Sequence, residues 1–553
     1  MIKNNIFNEK ITEKKLKKIC EELNVCIKAL YEKNQIKEIK IIIKKINEHR
    51  NDFLTYYWVS YVGSILDYTD EKYINSEKLM IKYEPKINIL ILKYYKFLAE
   101  TNFKENLMEE YGSRLFDLAN NEVRLLNDDV EKLLTEENKI VSEYTKIILT
   151  HKVKFKNQEL NYSGLTKYLI SNDRQERKLA FNLRYQIIDD LHYILKNKYD
   201  ELIKIRETIK KSLNLNFYTD YGYIKMNRIG YEKKDIHNFR KYLKEYILPL
   251  YNELAEKKQK RFSYSLEYYD DFILFEDGEA EFNCDLDQVL EITKDILKRE
   301  NNELFKLFDY MIKNELIDLK PKDNKRRLGI TTFFPKYKIP MFVQTMEMKA
   351  KDLTTLYHEF GHSSQLFLNK DKLIQENRWP TFDICEIHST SMEALMYKNA
   401  YRFFDKDLEK FKLSFINNYI SEIINCAFEE EFYEFIYDNP KATSNEREQK
   451  YKSLKQEYFK NKKSINDKEW YMSLNRIGQP FYLIDYALDR ICSATFLKEG
   501  NMDFDKYIEM CKIGGETSLK ELIKQMNLLS PFIEEDIKET GKILKRKITL
   551  WRQ

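Results

Sequence analysis

The chain has 553 residues and a formal net charge of +4, from 94 Lys and Arg against 90 Asp and Glu. A balance this even gives no single-sign field for gripping nucleic acid, so no nucleic-acid partner is expected. With 43% hydrophobic and 33% charged residues, the composition is that of a folded chain too long for one ordinary core. Only 13 glycines and 9 prolines favour long helices over many short strands.

The N-terminus runs from Met1 into charged, helix-forming sequence without an apolar signal core. Apolar stretches such as Ile87 to Leu92, interrupted by Asn88, fall far short of the roughly 20 residues a membrane span needs. Cysteines stand at 20, 26, 284, 385, 426, 492 and 511, an odd number with no C-x-x-C pair, which fits a reducing compartment. The expectation is a soluble cytoplasmic protein with no membrane partner; the pattern sets no oligomeric state.

In chain order, residues 8 to about 160 read as successive amphipathic helices, with Ile36, Ile39, Ile42, Ile43 and Ile46 on one stripe. This predicts a helical N-terminal region, 1–160, followed by a second region, 161–553. Helical spacing continues from about 163 to 262 and ends in the basic patch Lys257 to Arg261. The polar run Lys320 to Arg327 reads as a surface loop. Beyond it, Ile330 to Phe334 and Met341 to Thr345 are β-branched and aromatic, and the stretch Pro335 to Pro340 between them reads as the connection of a small hairpin. Asp352 can then cap a helix whose Leu353, Leu356, Phe360, Phe367 and Leu368 share one broad face. Helices resume from about 385 to 437 and again after the loop Asp438 to Asn445. The predicted fold is mostly α with a small β insert beside one helix.

That helix carries His358-Glu359-Phe360-Gly361-His362. Four residues apart on a helix, the two imidazoles project from one face a turn apart and can share a metal ion. Glu359 lies where its carboxylate can take a proton from a water on the ion's open position. A pattern this short arises by chance in about one such sequence in a hundred. Gly361 costs about 1 kcal/mol relative to alanine inside a helix, which points to a close approach by another element. A third ligand is needed. Asp383, Glu386, His388 and Glu393 all lie within reach, and spacing alone does not choose among them. Glu393, seven residues after Glu386, could hold a metal-binding histidine by its second nitrogen.

The stretch Gly329 to Thr345 with Asp352 to His362, the run Glu386 to Glu393, and Pro480-Phe481-Tyr482-Leu483-Ile484-Asp485-Tyr486 together resemble the oligoendopeptidase F and thimet oligopeptidase family of zinc metallopeptidases. Ser171 to Ala180 and Gly222 to Arg228 are similar to its oligoendopeptidase F branch, whereas the first 160 residues match in helical texture alone. The resemblance implies a two-lobed helical body around a deep substrate channel. It implies one Zn2+ per chain, held by His358, His362 and Glu386. It also implies Glu359 as general base, a substrate edge near 330–345, and Tyr482 and Tyr486 as phenol donors to the tetrahedral intermediate. The function it implies is hydrolysis of internal bonds of short unstructured oligopeptides by metal-activated water. His388 stays outside the ligand set. One departure stands out: the family usually has a histidine five or six residues before the Phe-Tyr pair, and here Asn475 and Arg476 stand there. Arg476 is read either as a replacement donor or as a solvated surface arginine. Two rival readings follow, a zinc exopeptidase on a related scaffold and a peptide-binding protein with reduced or lost turnover.

Overall fold

The structure, a computed structural model, describes residues 2–125, 127–462, 466–498 and 503–549. It is mostly helical, with one two-stranded and one three-stranded sheet among the described residues. No helix among them is long and apolar enough to cross a membrane. The chain forms two compact units from interleaved segments: 1–124, 280–412 and 492–529 in the first, and 125–279, 413–491 and 530–553 in the second.

In the first unit, the helices Glu13–Glu32, Ile36–Leu66 and Glu71–Glu100 pack on one another. Leu16, Ile19, Leu23, Ile27 and Leu30, three or four residues apart, meet Ile39, Ile43 and Ile46 of the expected stripe in a common core. Arg50, 5% exposed, extends from this bundle to form a two-pronged pair with Glu376 at 2.6 and 3.2 Å. Glu376 sits in the short helix Gln375–Arg378, between the two helices that carry the site. Truncating one partner of a buried pair of this kind costs about 3–5 kcal/mol, so the bundle anchors the segment that joins those helices.

The three-stranded sheet also belongs to this unit. Ile330–Phe334 runs antiparallel to Ile339–Val343, which pairs in parallel with Ile317–Asp318. The hairpin is therefore as expected, but its second strand begins at Ile339 and includes Pro340 opposite Phe333. Proline is tolerated there because the third strand reaches only Phe342 and Val343, so no partner asks Pro340 for an N–H. The run Lys320 to Arg327 is not wholly a surface loop. Lys325, 3% exposed, donates to the Asp318 carboxylate at 2.8 Å and to the carbonyls of Asp318, Lys320 and Gln344, clamping two strands from inside.

In the second unit, Asp128–Thr150 packs along the 39-residue helix Arg174–Ser212. The reading of successive helices to about 160 fails at its end. Val153–Phe155 and Gln158–Leu160 form a hairpin whose turn places Lys156 at φ +52. Three residues per strand are too few for a periodicity to register.

Glu430, on the helix Leu408–Asp438, is 1% exposed. Burial pushes its carboxyl up to about 7, against the opposing pull of Arg228, Arg240 and Lys233 and with the added repulsion of Glu434. A carboxyl whose folded pKa lies above its unfolded value supports the fold fully below the unfolded pKa of 4.5 and loses that support as pH rises to about 7. Glu430→Gln is therefore expected to raise the melting temperature more at about pH 8 than at about pH 5. An equal shift at both pH values would contradict the assignment.

Candidate active site

Asp352 caps the motif helix, which spans Ala350–Leu368, from its third position rather than as the N-cap residue, which is Lys349. It lies one turn in and accepts from the backbone N–H groups of Glu347 at 2.8 Å and Lys349 at 3.0 Å, tying the incoming chain to the first turn. Burial is not limited to one face. Every residue from Glu359 to Leu366 is buried, and the two serines satisfy themselves locally: Ser363 and Ser364 hydroxyls donate to the carbonyls of Glu359 and Phe360 at 3.0 and 2.7 Å. A helix surrounded on all sides belongs to a core, here shared with Phe382–Tyr397, buried from Asp383 onward.

The two helices meet at Gly361. A Cβ built there would lie 2.7 Å from Ser389 Cα, 2.9 Å from the His388 carbonyl oxygen and 3.1 Å from Met392 Cβ. The neighbour anticipated from the glycine is thus the backbone of the second helix, and it brings Glu386 to the histidines. His358 Nε2 and His362 Nε2 are 3.2 Å apart, and Glu386 Oε2 lies 3.2 Å from the first and 3.4 Å from the second. Three ligands of a tetrahedral ion at about 2.0–2.1 Å stand about 3.3–3.4 Å from one another. The donor triangle fits a zinc ion on this ground, and it is the one such His/Cys/Asp/Glu group among the described residues.

Further contacts orient the triangle. Glu393 Oε1 lies 2.8 Å from His358 Nδ1, which places the proton on Nδ1 and leaves the Nε2 lone pair for a metal. Ser389 donates to Glu386 Oε2 at 3.0 Å. Although burial alone would raise the Glu386 carboxyl, the imidazoles of His362 and His358 hold it well below the ordinary range. Burial opposes a charge on His358, and the carboxylates of Glu386 and Glu393 overcome it, raising that imidazole well above its ordinary value. A negative cradle that stabilises a buried proton also stabilises a cation. The Trp379 ring lies 5.8 Å from that of His362.

Glu359, 5% exposed, receives the Thr331 hydroxyl at 2.6 Å on Oε2, and the same oxygen of Thr331 lies 2.9 Å from the Glu359 carbonyl. Gly329 leaves room for this carboxylate, since a Cβ there would stand 2.9 Å from Glu359 Oε1. Thr331 escaped the sequence reading because a hydroxyl on a strand carries no signal until the strand's neighbour is known. Asp383 and His388 lie outside the donor group. Burial, aided by His362, pushes the His388 imidazole down to about 4 and keeps it neutral.

Tyr482 and Tyr486 belong to the second unit. Their hydroxyls are 2.8 Å apart and their rings meet edge to face. They do not share a helix: Ile484–Ser493 carries Tyr486, and Tyr482 lies in the turn before it. Arg476 is neither a spare donor nor a surface residue. It is 3% exposed, forms a two-pronged pair with Glu429 through Nε and Nη2, donates Nη1 to the Trp470 carbonyl at 2.9 Å, and sits over the Tyr451 ring.

A sequence model of the Peptidase M3 N-terminal domain matches residues 7–126, and one of Peptidase family M3 matches residues 168–542. The chain belongs to peptidase family M3. As an M3 member it is a metallo-oligopeptidase. It is similar to the structure of PZ peptidase A with inhibitor 2, at 29% identity, TM-score 0.87 and 98% coverage of both chains. A Bacillus anthracis str. Ames protein assigned as an oligoendopeptidase F shares 30% identity at TM-score 0.84, covering 98% of this chain and 97% of that one. Oligopeptidase PepF of Bacillus subtilis (strain 168) is 25% identical over 227 residues, which span 38% of this chain and only 33% of that relative's length.

The helix contact at Gly361 generates a test against propensity. Alanine is the better helix former by about 1 kcal/mol, yet both nearest atoms are backbone and cannot turn aside. Gly361→Ala is expected to destabilise by about 1–3 kcal/mol through overpacking and to weaken zinc binding in a competitive titration. A rise in melting temperature with unchanged zinc affinity would contradict the close packing.

Proposed function

We propose that this M3 peptidase is a zinc-dependent endopeptidase that cleaves internal bonds of short unstructured oligopeptides in the cytoplasm. The observation that carries the reading is the donor triangle of His358, His362 and Glu386, with edges of 3.2, 3.2 and 3.4 Å, beside a buried carboxylate at Glu359. When bound, zinc lowers the pKa of water at its open position to about 7 and polarises the scissile carbonyl. Glu359 takes the proton of the attacking water and passes it to the leaving amine. The Thr331 hydroxyl keeps that carboxylate aimed, and Glu393 holds His358 in register. The strand Ile330–Phe334, at the edge of its sheet, pairs with the substrate backbone and holds it extended. Tyr482 and Tyr486 donate from neutral phenols to the developing oxyanion. All of these residues fall within 161–553, which we assign to catalysis, and the helical region 1–160 supports it.

The test is cleavage of an end-blocked, internally quenched oligopeptide by wild type and by Glu359→Gln, with zinc content measured on both. Wild type is expected to cleave internally with one zinc per chain. Glu359→Gln is expected to keep its zinc and lose at least about 100-fold in kcat. An unchanged rate would remove Glu359 as the base. Cleavage confined to peptides with a free terminus would replace the endopeptidase with an exopeptidase, and stoichiometric zinc with no cleavage of either peptide would leave a peptide-binding protein.

A further inference from the structure

The stretch from Trp470 to Tyr486 is irregular: a single 3-10 turn over Glu469–Met472, a five-residue helix over Leu474–Gly478, and a turn leading into Ile484–Ser493. Segments of this kind hold a conformation only when something outside them satisfies their backbone. Here three buried arginines do so. Arg206 pairs with Glu137 at 2.7 Å and donates to the Ile477 carbonyl. Arg476 pairs with Glu429 and donates to the Trp470 carbonyl. Arg228 donates Nε and Nη2 to Asp485 Oδ1 at 3.1 and 2.9 Å, and Nη2 also to the Phe481 carbonyl.

The residues that Arg228 joins immediately precede the two tyrosines: Phe481 before Tyr482, and Asp485 before Tyr486. Phe481 is itself held under constraint. Its φ of +72 is in the left-handed region, which costs a non-glycine residue about 1–3 kcal/mol unless its surroundings over-determine it. Its ring is pressed into Gly222, where a Cβ would fall 2.3 Å from Phe481 Cδ2, and Tyr433 and Tyr437 close on the ring at 6.0 and 5.7 Å. A guanidinium fork above and a missing Cβ below thus fix one backbone geometry at the residue from which the tyrosine turn departs.

We infer that Arg228 is a positioning residue, with Gly222 as its steric counterpart, that sets the placement of Tyr482 and Tyr486 by pinning the peptide before each. This rests on the proposed donor role of the tyrosines. Lysine keeps the charge but cannot reproduce the planar pair of donors, Nε and Nη2, that Arg228 sets against Asp485 Oδ1 while reaching the Phe481 carbonyl.

The test is a double-mutant cycle on zinc-loaded protein, with steady-state kinetics and amide hydrogen exchange. Arg228→Lys is expected to lower kcat about 10- to 100-fold, the scale of a misplaced catalytic group, with KM within about twofold, and to lose exchange protection over 477–486 while Arg174–Ser212 keeps it. Gly222→Ala is expected to behave alike. In a Tyr482→Phe/Tyr486→Phe background, Arg228→Lys is expected to cost nothing further in kcat. Should Arg228→Lys fail to fold, Asp485→Asn, which keeps shape and removes charge, carries the same expectations. A kcat within about twofold of wild type, or an equal loss with and without the phenols, would overturn the inference. If the double phenylalanine variant itself retains full kcat, what fails is the donor role of the tyrosines, while the exchange result still decides whether Arg228 holds the turn.

Discussion

The site depends on the contact between two helices that touch backbone to backbone at Gly361. A side chain there would meet Ser389 Cα at 2.7 Å, so only glycine lets the axes come close enough for a carboxylate on one helix to share a vertex region with two imidazoles on the other. From this separation the remaining geometry follows. Glu386 reaches both Nε2 atoms, Glu393 about two turns along the same helix reaches His358 Nδ1, and the burial of both helices removes competing water, which strengthens each of these interactions.

Burying so much charge is costly unless every group has a partner, and both units answer this with fixed pairs. In the first, Arg50 and Glu376 tie the segment between the site helices to the N-terminal bundle, and Lys325 closes the sheet behind the edge strand. In the second, arginines paired with Glu137, Glu429 and Asp485 each also donate to one backbone carbonyl of the irregular tyrosine segment. Arginine suits this because its planar fork serves a carboxylate and a carbonyl at once.

Local patterns were legible in the sequence and long-range partnerships were not. Helical spacing and His358-Glu359-Phe360-Gly361-His362 identify the motif helix, and the misplaced glycine announces a close neighbour. Spacing left four candidates for the third donor, and the choice of Glu386 came from the family resemblance. The structure groups Glu386 with the two histidines, a placement that spacing does not give because it does not report which face of one helix packs on the other. Thr331 was invisible for the same reason. Arg476 was misjudged in both readings because its partner, Glu429, lies 47 residues away and neither position signals the other. Lys325 looked like part of a charged loop because composition does not report which lysine turns inward. The short hairpin at 153–160 is below the length at which alternation can be read.

The proposed hydrolysis depends on His358, His362 and Glu386 holding one zinc ion. Diffraction from crystals of the purified protein, collected on either side of the zinc absorption edge, tests this directly. The expected result is a single anomalous peak per chain, about 2.0–2.2 Å from His358 Nε2, His362 Nε2 and a Glu386 carboxylate oxygen. A peak bound elsewhere, or a fully occupied set of three donors around no scattering ion after zinc addition, would contradict it.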